Sequence, residues 1–123
     1  MQHCFQVYPE HCNPLEVDGK MMVHGGAMLT QMDRVVAIYV QRLLVPTDCD
    51  EIRTVNVKVN FLAPAKLGDL VDIEMSVKRY GRTSIAVLCN CTVGDNHISS
   101  GEITFVSFKS GKVHPHGLTG TTD

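Results

Sequence analysis

One change of period along the chain limits what it can fold into. Between residues 26 and 44, Met28, Leu29, Met32, Val35, Val36, Tyr39, Val40 and Leu43 recur at spacings of three and four, without a proline. That is the period of a helix with one apolar face, and Pro46 ends it. From Arg53 the period becomes two. Val55, Val57, Val59 and Phe61 alternate with polar residues, then Val71, Ile73, Met75 and Val77, then Ile85, Val87, Cys89, Cys91 and Val93. A fourth run spans about Glu102 to Phe108. Turn residues at Gly68-Asp69, Tyr80-Gly81-Arg82 and Gly94-Asp95-Asn96 separate these runs. Short turns require antiparallel neighbours, and strands apolar on one side need a cover on that side. Only one long helix is on offer. The expected architecture is α+β: a single central helix against a curved antiparallel sheet of about five strands.

The rest of the sequence is quieter. Residues 1–24 and 110–123 have no periodicity; residues 1–109 are expected to form one domain and 110–123 a flexible C-terminal tail. With 123 residues, 44% apolar and 20% charged, there is room for one globular core. A net charge of −2 argues against nucleic-acid and membrane-surface partners. No apolar stretch approaches the roughly 20 residues of a membrane span. Residues 1–9 lack a signal-peptide core, so a cytoplasmic location is expected. The five cysteines, an odd number without a CxxC pair, fit reduced thiols, with Cys89 and Cys91 as small core residues. His114 and His116 lack the cysteine or acid partners of a metal site, and no metal is expected. Nucleotide-binding glycine motifs are missing as well.

Two features carry chemistry. On a helical wheel of about 100° per residue, Asp33 falls between Val40 and Leu44, inside the apolar arc near its edge. A carboxylate buried without a partner costs several kcal/mol, so Asp33 is a solvated edge residue, one that accepts bonds from nearby backbone groups, or a working one. His24-Gly25-Gly26 stands where the helix begins. Free amides there carry partial positive charge, and glycine lets a ligand approach them, as in an oxyanion hole. Asp33 lies about two turns further on and cannot reach the same spot alone; a neighbouring subunit or a substrate lying along the helix could connect the two. Separately, Lys78, Arg79 and Arg82 cluster around one turn with Thr83 and Ser84. That pattern fits a phosphate-binding rim and equally an ordinary charged hairpin end.

His24-Gly25-Gly26 with Asp33, then Asn60-Phe61-Leu62-Ala63-Pro64, Leu67-Gly68-Asp69 and Gly81-Arg82-Thr83-Ser84, together resemble the hotdog-fold acyl-CoA thioesterases. The resemblance runs from about Pro9 to Phe108. The interval of nine from His24 to Asp33 resembles the phenylacetyl-CoA-type branch. The wording Gln31-Met32-Asp33 and Gly81-Arg82-Thr83-Ser84 resembles the broad-specificity acyl-CoA hydrolases, whose loop acid is replaced here by Met22. The resemblance implies a helix wrapped by a sheet, with active sites shared between subunits of a homodimer, itself part of a tetramer or other higher assembly. It implies hydrolysis of an acyl-CoA thioester, with coenzyme A part of the substrate and no separate cofactor. Asp33 would be base or nucleophile, Gly25 the carbonyl donor, and His24 with Asn13 or Asp18 would orient thioester or water. Gly26, Thr30, Arg79, Gly81, Arg82, Thr83 and Ser84 would contact substrate. A hotdog dehydratase or hydratase, and a non-catalytic acyl-CoA-binding module, are the alternatives.

Overall fold

The computed structural model describes residues 2–8, 11–12 and 25–120. In chain order the elements are β1 (Gln2–Gln6), α1 (Gly25–Leu44), β2 (Glu51–Phe61), β3 (Leu70–Tyr80), β4 (Ser84–Val93), β5 (Asn96–Lys109) and β6 (Lys112–Val113). The strands form one antiparallel sheet in the order β1-β3-β4-β5-β2, with β6 added to β5. Its concave face packs on α1, which gives the α+β architecture expected: one helix held by a curled antiparallel sheet.

The helical stripe is buried as its spacing requires. Met32, Val36 and Val40 are fully buried, and Met28, Val35, Tyr39 and Leu44 nearly so. They meet Val71, Ile73 and Met75 from β3, Ile85, Val87, Cys89 and Cys91 from β4, and Ile103 and Phe105 from β5 in one core. Burial of this apolar surface is the main force holding helix to sheet.

Three elements depart from the sequence reading. β1 lies in the stretch read as irregular, where it forms an edge by pairing Gln2–Gln6 with Leu70–Glu74. β5 begins at Asn96, six residues before the fourth apolar run. The stretch read as a flexible tail is, from 112 to 118, folded back along the sheet: β6 pairs with β5, His116 is buried and Leu118 packs on the core. Hydrogen bonds of Ser107 and His116 and the packing of Leu118 on the core hold it there, so the sequence carries no periodic signal for it.

β2 also holds a register shift. Thr54 sits opposite Phe105 and Asn56 opposite Thr104, leaving Val55 as an extra residue. One inserted residue reverses which side chains face inward. Before the bulge Ile52 and Thr54 face α1; after it Val57, Val59 and Phe61 do. The reading of Val55 with Val57 on a single face therefore fails at Val55, which is exposed.

Candidate active site

The site begins at the amino end of α1. Gly25 and Gly26 are exposed and no acidic residue stands in the first turn. The partial positive charge of the leading amides is thus not compensated within that turn. A cavity of about 300 Å³ opens beside it, lined by Gly25 and Met28 of α1, Phe61, Leu62, Ala63 and Pro64 after β2, and Ile98 of β5. The loop wall is pinned, since the N–H groups of Leu62 and Ala63 both donate to Ile98 O, at 2.9 and 3.2 Å. A β-carbon at residue 25 would lie 3.5 Å from the Phe61 ring. Any larger side chain would fill the gap between the helix tip and that ring, and glycine keeps it open.

Asp33 is half-buried and accepts a hydrogen bond from Thr54 Oγ1 at 2.9 Å. Asp33 thus sits at the edge of the apolar arc and is bonded, to a side chain of β2 rather than to nearby backbone. The bulge at Val55 makes this possible by turning Thr54 towards the helix. Thr54 is the residue sequence reasoning missed. Strict alternation placed it with Asn56 and Lys58 on the outer face, and no signal in the sequence marks the bulge.

Gly25 and Asp33 are eight residues apart on one straight helix, about 12 Å of axial rise. Asp33 is not part of the cavity wall. One chain does not bring these groups together. Thr30 is exposed, but its hydroxyl donates to Gly26 O at 2.8 Å, which ties it to the helix backbone. His24, Asn13 and Asp18 lie outside the described residues.

The turn at 81–84 is closed by Gly81 N–H donating to Ser84 O at 2.9 Å. Thr83 O accepts from Ser107 N–H at 2.8 Å. Arg82 in the turn and Arg79 near the end of β3 are both exposed. Lys78 pairs instead with Glu102 on the outer face. The Lys78 hydrogen bond, with Lys58 and Arg79 nearby, holds the Glu102 carboxyl below the usual carboxylate range. Along β5, Phe61 pairs with Ser99 and Ser84 with Val106. Seven strand positions separate these levels, about 23 Å. The turn and the helix tip thus stand at opposite ends of the sheet. Among the described residues no group of three His, Cys, Asp or Glu side chains is placed to hold a metal.

The family model described as the thioesterase superfamily matches residues 21–99. No curated protein sequence matches. Among solved structures, the hexameric thioesterase y2039 from Yersinia pestis superposes with a TM-score of 0.79 at 22% identity, over 92% of this chain and 91% of that one. A Thermus thermophilus thioesterase complexed with coenzyme A and zinc gives 0.75 at 20%, over 93% and 88%. An acyl-CoA hydrolase from Staphylococcus aureus, in complex with butyryl coenzyme A, coenzyme A and its disulfide, gives 0.74 at 23%, over 94% and 67%. At these identities the likeness establishes the hotdog fold.

Proposed function

The chain belongs to the thioesterase superfamily as one of its enzymes, and on that premise we propose that it hydrolyses acyl-CoA thioesters to free acid and coenzyme A. The observation that carries this reading is the apolar cavity at the tip of α1, open between Gly25, in a first turn without an acidic residue, and the Phe61 ring. An acyl carbonyl seated there points its oxygen at an N–H donor with a helix dipole behind it.

The carboxylate comes from a second copy. β2 is one of the two sheet edges, and Val57 and Phe61, which face inward, remain 38% and 53% exposed. An apolar surface left open beside the free side of an edge strand invites an identical strand. Two β2 strands pairing antiparallel about a centre near Val57 set Thr54 of one chain opposite Asn60 of the other. Asp33, bonded to Thr54, then approaches the partner's helix tip. Asp33 either removes a proton from water as the water oxygen attacks the carbonyl carbon, or attacks that carbon itself to give an anhydride that water then cleaves. In both routes the carbon–sulfur bond breaks and the coenzyme A thiolate leaves and takes up a proton. Arg79 and Arg82, with Gly81, Thr83 and Ser84, form the rim for the coenzyme A phosphates. A homodimer is the smallest complete unit, with a tetramer or hexamer built from it.

Thiol release from acetyl-, medium-chain, long-chain and aromatic acyl-CoA tests the reading. Asp33→Asn and Asp33→Ala are expected to lose at least about a hundredfold in kcat with the fold intact, the scale of general-base catalysis. Wild-type turnover in both variants removes Asp33 from the mechanism.

A further inference from the structure

The C-terminal segment carries a buried histidine. His116 is 5% exposed, with its ring against Tyr80 at 5.7 Å between centroids. Its Nδ1 accepts the Leu118 N–H at 2.9 Å, so that nitrogen carries no proton. The proton is therefore on Nε2, which donates to Ser84 O at 3.0 Å. Ser84 O is the same oxygen that accepts Gly81 N–H and closes the 81–84 turn. One residue earlier, Thr83 O accepts from Ser107 N–H, and Ser107 Oγ lies 3.2 Å from Thr83 O and 2.6 Å from His114 O. His114 in turn reaches Asp48 at 3.0 Å. Both carbonyls that follow Arg82 are thus fastened, one by β5 and one by the C-terminal segment.

Packing alone does not call for a histidine there. A buried leucine would fill the space without two polar atoms to satisfy. What the imidazole adds is a bridge: one nitrogen fixes the segment's own bend, the other grips the turn. We propose that His116 is a positioning residue, through which residues 112–118 form a strap across the 81–84 turn and hold the backbone that presents Arg82 to the substrate. The role rests on the reading of this turn as the rim for coenzyme A phosphates. It gives the C-terminal segment a part in recognising the nucleotide end of the substrate rather than the acyl end.

The test compares an acyl-CoA with the matching acyl-pantetheine, which has the same thioester and no phosphates. In His116→Leu the KM for the CoA ester is expected to rise about fivefold, the scale of one neutral hydrogen bond. The pantetheine KM and both kcat values should be unchanged. His116→Gln places an amide donor near the Nε2 position and should restore the CoA KM. His116→Asn keeps an acceptor near Nδ1 but falls short of Ser84 O, and should behave as the leucine variant. The glutamine and asparagine pair carries the test if the leucine variant does not fold. A preference of the wild type for the CoA ester that survives unaltered in His116→Leu and His116→Asn overturns the strap alone. A loss shared equally by both esters also overturns it. Equal KM values for the two esters in the wild type overturn the phosphate rim and the strap with it.

Discussion

Asp33 and Thr54 form a pair that works only because each is where the other needs it. A carboxylate near the edge of an apolar arc gains from a donor, and Thr54 Oγ1 supplies one at 2.9 Å. Oδ1 is thereby fixed, and in the proposed mechanism Oδ2 takes the proton. Thr54→Val keeps the shape and deletes the donor. Its kcat is expected to fall about tenfold with KM little changed, since hydrogen bonds to charged groups are worth about 1.5–3 kcal/mol. Thr54→Ser should recover most of the loss. Steady-state kinetics on one acyl-CoA decides it, and an unchanged kcat in the valine variant would mean that Asp33 needs no such support.

The buried thiols make a second prediction at this scale. Burial, with Cys91 alongside, pushes Cys89 from 9.0 up to about 12. Burial also raises Cys91, offset in part by a hydrogen bond with Ser99. The folded chain keeps the Cys89 proton over a range where the unfolded chain releases it, so the unfolded state binds fewer protons there. Stability from this group is full below pH 9 and is lost as pH rises towards 12. Urea midpoints should hold steady between pH 7 and 8 and fall from pH 9 upward. Cys89→Val should flatten that alkaline slope.

Elements were legible where the apolar period ran unbroken, and hidden where backbone crowding or polar anchoring took over. α1 and the bodies of β3 and β4 follow from spacing alone. The first part of β5 does not, because Ser99, Ser100 and Gly101 look like a loop. The reason is their position. β5 lies between β4 and β2 with α1 pressed on it, and a β-carbon at Gly101 would stand 2.9 Å from Val59 Cγ2, 3.1 Å from Lys58 O and 3.2 Å from Met32 Cε. Ser99 is fully buried with its hydroxyl 3.6 Å from Met32 Sδ. Small residues let the helix approach here, and small polar residues conceal a strand. Gly101→Ala is expected to cost about 1–3 kcal/mol, as overpacking does, because the backbone carbonyl of Lys58 cannot swing aside as a side chain can. Chemical unfolding measures it, and a neutral effect would mean that β2 yields at this point. The site was legible in the same uneven way. Gly25 and Asp33 stand out by composition and phase. The bulge that aims Thr54, and the fold of the C-terminal segment around His116, arise from pairing across the sheet that no local pattern reveals.

At the scale of the whole molecule, the division between Gly25 and Asp33 matters most. About 12 Å of continuous helix keeps them apart within one chain, so in the proposed dimer each copy holds halves of two different sites. This has a consequence for mixtures. Chains carrying Asp33→Ala and chains carrying Gly25→Leu should each be inactive alone. Unfolded and refolded together in equal amounts, half of the resulting pairs contain one of each. In those, the intact helix tip of one parent faces the intact carboxylate of the other. About a quarter of normal turnover should therefore reappear, since closed symmetric pairing brings together two unlike halves at each site. Two dead parents would yield a living hybrid, and no recovery on mixing would place both halves on the same polypeptide.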